Sequence, residues 1–417
     1  MDGFSSDVVI VGGGLAGLAC ARLLYRAGFR VLVLEADNDA GGRIRTDSVE
    51  GFLLDRGFQV LHTAYPEAQS ALDLSALRLK PFDPGIIVRK NGRFHFLADP
   101  LRKPGMLFQS IFSPVGTFTD KLRVLALFAR LNRRSLTSIF AATDLPTRRY
   151  LQESGFSADI VSTFFRPFFG AVCLDPAIGA SRRVFDYIFQ MFASGDVAVP
   201  EKGMGQIPRQ VAAALPADAI KTGTRVSALS ENGVRLADGR EISADAIVLA
   251  TPAREVQRLL NETETVTYFS EHCLYFAADR PPMPYNMLIL NGEGRGPITN
   301  LAMLSQASPA YAPQGKALLA AVVIGKREND DGTLLESVRA QLRQWFGPSV
   351  DAWRHLKTYF IPNALPDQSP PLPDPHTSRS RIKHSIYACG EYGSVPGTQW
   401  ALHTGRKTAE SIIAEKS

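Results

Sequence analysis

Asp7-Val8-Val9-Ile10-Val11-Gly12-Gly13-Gly14-Leu15-Ala16-Gly17 puts a strand, a glycine turn and a helix start in immediate succession at the head of the chain. Val8 to Val11 is an apolar, β-branched run, and Leu18 to Arg26 has helical character. A second apolar strand, Arg30 to Leu34, ends on Glu35. Gly12 permits the tight turn, Gly14 lets a pyrophosphate approach the backbone, and Gly17 lets the helix pack on the strand. The helix N-terminus then faces the phosphates. Glu35 follows Gly17 by 18 residues, the spacing at which a carboxylate meets the ribose hydroxyls of an adenine dinucleotide.

The residues behind that acid narrow the choice of dinucleotide. Glu35-Ala36-Asp37-Asn38-Asp39-Ala40-Gly41-Gly42-Arg43 places two glycines and an arginine where a turn brings a guanidinium and backbone N–H groups back toward the pyrophosphate. Nicotinamide-binding folds have no need of such a turn, so FAD is the expected cofactor. The alternative is a surface turn with a solvated Arg43.

The opening segment resembles the flavin amine oxidase superfamily, which includes monoamine and polyamine oxidases, protoporphyrinogen oxidase and the phytoene and ζ-carotene desaturases. Further motifs carry the resemblance along the chain. Gly51-Phe52-Leu53-Leu54-Asp55-Arg56-Gly57 is similar to a Gly-x-x-x-Asp-x-Gly segment beside the flavin, and Thr222-Gly223-Thr224-Arg225-Val226 to the strand whose valine meets the adenine. Ala246-Ile247-Val248-Leu249-Ala250-Thr251-Pro252 resembles the strand that closes the FAD domain, and Tyr387-Ala388-Cys389-Gly390-Glu391 the motif at the ribityl chain. Thr404-Gly405-Arg406-Lys407-Thr408-Ala409 resembles the start of the last helix. The resemblance implies FAD contacts at Gly12, Gly14, Leu15, Ala16, Gly17, Glu35, Ala36, Gly42 and Arg43. It adds Gly57, Phe58, Val226 and Thr251, and then Gly390, Glu391, Trp400 and Ala401 near the end.

Composition agrees with a globular enzyme. The chain has 417 residues, 45% hydrophobic and 21% charged, enough for two domains. Cys20, Cys173, Cys273 and Cys389 are scattered without a CxxC pair, which predicts reduced core thiols and a cytoplasmic protein. The seven histidines form no HxH or HExxH pattern, so no metal is expected. The residues before Asp7 show no signal-peptide pattern, and no uncharged run reaches the length of a membrane span. A net charge of +5 comes without a nucleic-acid-binding motif, so nucleic acid is not an expected partner.

The implied FAD motifs fall at 1–65, 200–265 and 376–417, and one cofactor requires these segments to meet in space. The fold class expected is α/β: a Rossmann-type FAD-binding domain, interrupted by a discontinuous substrate domain of mixed β-sheet plus helices at 66–199 and 266–375. In the first excursion Gly85 to Lys90 and Arg93 to Leu97 flank Asn91-Gly92, a type I′ hairpin signature. In the second, strands are expected at His272–Ala278, Met287–Leu290 and Ala317–Ile324. A helix from Thr333 to Phe346 repeats Leu335, Val338, Leu342 and Trp345. Pro362 to Pro375 reads as a linker.

The substrate is approached through two features. Phe156, Phe164, Phe165, Phe168, Phe169, Phe185, Tyr187, Phe189 and Phe192 crowd one stretch, either as an ordinary helical core or as a tunnel for a long apolar substrate. No single helix face buries them all. Between 101 and 136, apolar Met106, Leu107, Phe108, Ile111 and Phe112 accompany Arg102, Lys103, Lys121, Arg123, Arg130, Arg133 and Arg134. This reads either as a solvated basic face or as a peripheral membrane contact admitting a lipid-soluble substrate.

Two departures from the amine oxidases weaken an amine-oxidase assignment, and a third leaves two orientations open. Those enzymes hold a lysine near flavin N5, whereas no lysine occurs here between Lys221 and Lys316, and His272 stands near the place. Their cage aromatic aligns with Gly397, and their Gly-Ala pair with Trp400-Ala401, whose indole must point away or narrow the site. Glu271, His272 and His403 are the candidate acid–base residues. The reading favoured is an FAD-dependent oxidoreductase that dehydrogenates a small hydrophobic, isoprenoid or carotenoid-like substrate by hydride transfer to flavin N5. The alternatives are an amine oxidase with an altered roof and a non-redox isomerase using reduced FAD.

Overall fold

A computed structural model describes residues 5–98, 102–263, 265–325 and 331–416. Ser5–Val11 lies inside an eight-stranded sheet, parallel to Val31–Leu34 on one side and to Glu241–Leu249 on the other. Val8, Val9 and Ile10 are fully buried. A parallel strand covered on both faces has no polar side to show, so the run is apolar throughout rather than alternating. Glu241–Leu249 pairs antiparallel with Gly233–Leu236 through its first half and parallel with Ile386–Ala388 through its second. The beginning, middle and end of the chain therefore meet in one sheet.

Two helices pack under that sheet, Leu15–Arg26 and Thr398–Lys416. Their contact is between backbones. A Cβ at Gly405 would stand 2.5 Å from the Ala16 carbonyl oxygen, and one at Gly17 would stand 2.2 Å from that of Gly12. The last helix begins at Thr398, six residues before the Thr404 start expected from sequence, directly after the helix-breaking Pro396-Gly397.

The second sheet has seven strands in the order Arg354–Pro366, Tyr268–Ala278, Ala317–Ile324, Asn300–Ala302, Leu288–Asn291, Gly85–Lys90 and Arg93–Ala98. The last two form the hairpin, with Asn91 and Gly92 at φ +52° and +71°, as a type I′ turn requires. Asp331–Phe346 covers one face of this sheet with Leu334, Val338, Leu342 and Trp345 buried, and Leu335, expected on the stripe, lies at its margin. The expected linker from Pro362 begins instead as strand, since Arg354–Pro366 runs on to Pro366. That strand is the edge of the sheet, where proline's missing N–H leaves no ladder bond unmade.

Asp55 ties the seven-stranded sheet to a short hairpin beside it. It closes the hairpin Thr46–Val49/Phe52–Asp55 and is 1% exposed. Its carboxylate accepts from Thr46 Oγ1, from the Met204 N–H at 2.9 Å and from the Tyr311 hydroxyl at 2.7 Å. Its carbonyl accepts from Tyr275 at 2.7 Å, on a strand of the seven-stranded sheet. Burial pushes its carboxyl up to about 6.

The aromatic stretch divides. Phe165, Phe169 and Phe185 form a ring-packed core, with Phe169 and Phe185 centroids 4.3 Å apart. Phe164, Phe168 and Phe192 face a large internal cavity instead. All four cysteines are buried and free. Among the described residues no helix is long and apolar enough to cross a membrane.

The backbone contacts predict that Gly17→Ala and Gly405→Ala each destabilise the protein. Overpacking of this kind costs roughly 1–3 kcal/mol, more than the roughly 1 kcal/mol alanine gains over glycine inside a helix. Gly239→Ala, where a Cβ would meet nothing within 4 Å but φ is +89°, serves as a control for backbone strain without a clash. Denaturant midpoints of the three variants compare the two effects.

Candidate active site

Between the two sheets lies a cavity of about 1480 Å³. Ligand pockets usually measure roughly 300–1,000 Å³, so this one has room for a dinucleotide and a second molecule. Its walls are built in order from the glycine turn, the two strand ends beside it, the roof of the seven-stranded sheet and the helices between 107 and 192.

The glycine turn forms a cradle. Gly12 sits at φ +109°, and a Cβ there would stand 2.8 Å from the Ala250 carbonyl oxygen. A Cβ on Gly14 would meet no protein atom within 4 Å, because Gly14 faces the cavity. The Gly41-Gly42 turn docks against it, with the Gly41 N–H donating to the Gly13 carbonyl at 2.8 Å and Gly42 at φ +59°. Gly14 is also the N-cap of Leu15–Arg26 and offers no side chain, so the N–H groups of the first turn are left to a ligand. Leu15 and Ala16 line the cavity there, and Gly17 lies just behind, under the turn.

The acid at the end of Val31–Leu34 is fixed in place. Glu35 accepts from the Gly13 N–H at 2.7 Å and from the Asp37 N–H at 2.9 Å, and with Ala36 it lines the cavity. Val226 and Thr251 also line the cavity. The Thr251 hydroxyl oxygen is buried and has no hydrogen-bond partner among the described residues. An orphaned buried hydroxyl costs free energy unless a ligand meets it. The cradle, the amide cluster and this hydroxyl fit the polar half of FAD.

Arg43 does something the sequence did not show. It lines the cavity beside Gly42, but its guanidinium pairs with Glu391 and donates to the Ala364 carbonyl at 2.9 Å. Glu391 also accepts from the Ala253 N–H at 3.1 Å and from the Tyr268 hydroxyl. A carboxylate whose side chain is 3% exposed needs such partners to stay buried. Gly390 and Glu391 line the cavity, and Gly390 takes φ +92° while donating to Thr404 Oγ1 at 2.9 Å.

On the last helix Ala401 faces the cavity and Trp400 does not. The indole is 1% exposed and packs away from the cavity against Phe140, Tyr187 and His376, with centroids 5.0, 5.5 and 5.4 Å away. Of the two orientations open to it, the tryptophan thus takes the one that leaves the site wide.

The three acid–base candidates are separated by the structure. Side chains alternate along Tyr268–Ala278, so Glu271 faces the cavity while His272 turns to the other face and stacks on Phe360 at 4.6 Å. His403 is outside the cavity lining and is bonded through Nδ1 to Glu67 at 2.8 Å, next to Arg406. Glu271 is 7% exposed, and burial raises its carboxyl to about 7. Gly57 lies against it, and Phe58 lines the cavity beside them.

Sequence reading missed His62 and Asn300. His62 is 4% exposed, lines the cavity and is held down to about 4 by burial, so it is neutral at physiological pH. Asn300 is 1% exposed, and its Oδ1 has no partner among the described residues. Neither belongs to a motif, and only the cavity brings them together.

Comparison with known proteins fits this architecture. The sequence model of the family described as flavin containing amine oxidoreductase matches residues 15–413. Protoporphyrinogen oxidase 2, chloroplastic/mitochondrial, of Arabidopsis thaliana is 29% identical over 163 residues, 39% of this chain. That match spans only 32% of the relative's length. Coproporphyrinogen III oxidase of Propionibacterium freudenreichii subsp. freudenreichii is 24% identical over 423 positions, covering 83% of this chain and 78% of that protein. The crystal structure of an oxidoreductase from Methanosarcina mazei superposes with a TM-score of 0.73 at 19% identity, over 98% of this chain and 99% of that one. The chain belongs to the flavin-containing amine oxidoreductase family, and its cofactor is FAD.

Proposed function

We propose that this chain is an FAD-dependent dehydrogenase of a hydrophobic, isoprenoid-like substrate, taken up at a membrane face. The observation that carries the reading is the continuity of the cavity. From the glycine cradle it passes Phe58 and Glu271, enters a chamber walled by Phe164, Phe168 and Phe192, and reaches Phe118, Leu122 and Leu125 on the helix Phe118–Leu131. FAD, when bound, supplies a two-electron acceptor. The chain's own part is to fix that acceptor by the cradle and Glu35, to hold an apolar molecule against it and to keep water out.

An amine substrate is less well served. Lys121 is the only lysine along the cavity wall among the described residues, at its far end, where it donates to the carbonyls of Ile111 and Ser113, each at 2.6 Å. The chamber offers a primary amine mostly phenyl rings and aliphatic carbons.

The far end is also the most apolar part of the surface. Phe108, Phe112 and Phe118 are 72%, 78% and 63% exposed, and Ile111, Leu122 and Leu125 are exposed beside them. Four of these six side chains, Ile111, Phe118, Leu122 and Leu125, also line the cavity, so the mouth opens through the apolar patch. Residues 102–136 carry seven lysines and arginines against one carboxylate, Asp120, which is buried in a capping box. An apolar patch with a cationic surround suits an anionic bilayer, which delivers lipid-soluble molecules directly to the opening. Leu101, the first residue of the segment singled out in the sequence, lies outside the described residues.

Three expected outcomes test this reading. Glu35→Ala removes charge-assisted hydrogen bonds worth roughly 1.5–3 kcal/mol each. It should weaken FAD binding by about one to two orders of magnitude, read as flavin lost on desalting, and full occupancy overturns the assignment of Glu35. In anaerobic mixing, isoprenoid substrates should bleach the flavin while putrescine and spermidine leave it oxidised. Rapid bleaching by either amine establishes the amine-oxidase alternative. The membrane part is checked by co-sedimentation with phosphatidylglycerol vesicles. Wild type should bind at low salt and release at high salt, and Phe108→Ser with Phe112→Ser should stay in the supernatant. Equal sedimentation of the two proteins, or none by wild type, returns the patch to an ordinary solvated surface.

A further inference from the structure

We propose that Glu271 is the proton-exchanging catalytic group of the cavity, taking the proton that substrate dehydrogenation releases. The inference rests on the dehydrogenase reading above and deepens it.

The first observation is a contrast among acids. Among the described residues six other carboxylates line this cavity, and each is partnered. Glu35 accepts from two backbone N–H groups. Glu391 takes three donors, and Asp37, Asp83, Asp196 and Glu255 pair with Arg45, Lys103, Arg102 and Arg258. Glu271 is more than nine-tenths buried, yet no hydrogen bond or ion pair from a described residue acts on its carboxyl, desolvation being the one cause that moves it. A buried carboxyl without a partner is a lasting cost to the fold, and it is tolerated where function needs the group.

The second observation is the space made for it. Gly57 holds φ +95°, and a Cβ at that position would stand 2.3 Å from Glu271 Oε1. The glycine that ends the hairpin segment thus lets the carboxyl lie directly against the backbone. Ile361 and Val322 flank it on the cavity wall.

The charged and titratable groups around it are engaged elsewhere. Asp55 is bound by Thr46, Met204 and Tyr311. Arg56 and Tyr359 both bond Asp47, and on the same strand as Glu271 the Cys273 thiol is buried, its titration pushed far up by desolvation. The neighbouring strand presents Val322 and Ile324, which carry no charge. Desolvation therefore sets the carboxyl near 7, and both protonation states are accessible at physiological pH.

The chemistry balances with these parts. Dehydrogenation breaks two bonds to hydrogen and forms one new double bond in the substrate. One hydrogen leaves as hydride, carrying both electrons to FAD, and the other leaves as a proton. The Glu271 carboxylate forms an O–H bond with that proton, becomes a neutral acid suited to an apolar chamber, and returns the proton to water before the next turnover.

The test uses the FAD-loaded protein and needs no substrate. In a spectroelectrochemical titration from pH 6 to pH 9, a two-electron reduction that takes up one proton shifts the midpoint potential by about 30 mV per pH unit. If Glu271 gains a proton as negative charge arrives on the reduced flavin, the wild-type slope should double just above pH 7, and Glu271→Gln should keep the single-proton slope throughout. Glu271→Leu is the second variant, and Glu271→Asp should restore the steeper region. With any substrate that bleaches the wild-type flavin, Glu271→Gln should slow bleaching at least 100-fold and abolish its rise with pH through about 7, where the carboxylate form grows in. Identical potential slopes in wild type and Glu271→Gln, or undiminished bleaching in the variant, overturn the assignment of Glu271. Failure of the dehydrogenase reading appears separately, as absence of bleaching by apolar substrates.

Discussion

Close approach of backbone to backbone is the constraint on which the molecule is built. At Gly12 the turn touches the carbonyl of Ala250, at Gly17 the first helix touches the turn, and at Gly405 the last helix touches the first. None of these contacts leaves room for a Cβ. Together they bring the Leu15–Arg26 helix end, the end of Glu241–Leu249 and the Thr398–Lys416 helix into one cradle, though the residues come from opposite ends of the chain. The phosphate-facing amides follow from this geometry, because a helix that lay further from the strand would not aim its first turn at the same point.

Buried acids fasten the second sheet to that frame. Asp55 bridges the hairpin, the Met204 segment and two tyrosines, one of them on a strand of the other sheet. Glu391 gathers Arg43, Ala253 and Tyr268, so three distant segments converge on one carboxylate. Such networks contribute specificity of arrangement more than net stability, since each charge must first be desolvated. The site between the sheets is therefore held by polar groups already satisfied within the protein. Thr251 and Asn300 stand apart from this pattern, and with Glu271, whose carboxyl is shifted by desolvation alone, they face the cavity.

The cavity changes character along its length. At the cradle it is lined by glycines, backbone amides and Glu35, suited to phosphate and ribose. Toward the helices it becomes phenyl and aliphatic, and it ends at side chains that are themselves exposed to solvent. The aromatic stretch between 156 and 192 divides between core and cavity wall. Its inward rings pack at tilted angles into a core, and its other rings form the chamber's wall.

The sequence by itself determined the strand–turn–helix at residues 7–26, the Asn91-Gly92 hairpin and the buried strand Ala317–Ile324. These depend on local φ requirements and on short-range periodicity, which neighbouring residues carry among themselves. Of the residues expected to contact FAD, all but Gly17, Gly57 and Trp400 line the cavity, because glycine turns and strand-end acids have fixed spacings. Tertiary structure decided what spacing cannot encode. It turned Trp400 outward because Phe140, Tyr187 and His376 receive the indole, and it set Arg43 on Glu391, 348 residues away in the chain. It also separated Glu271 from His272. The two are adjacent in sequence, but a strand sends neighbours to opposite faces, and only the sheet's packing says which face meets the cavity.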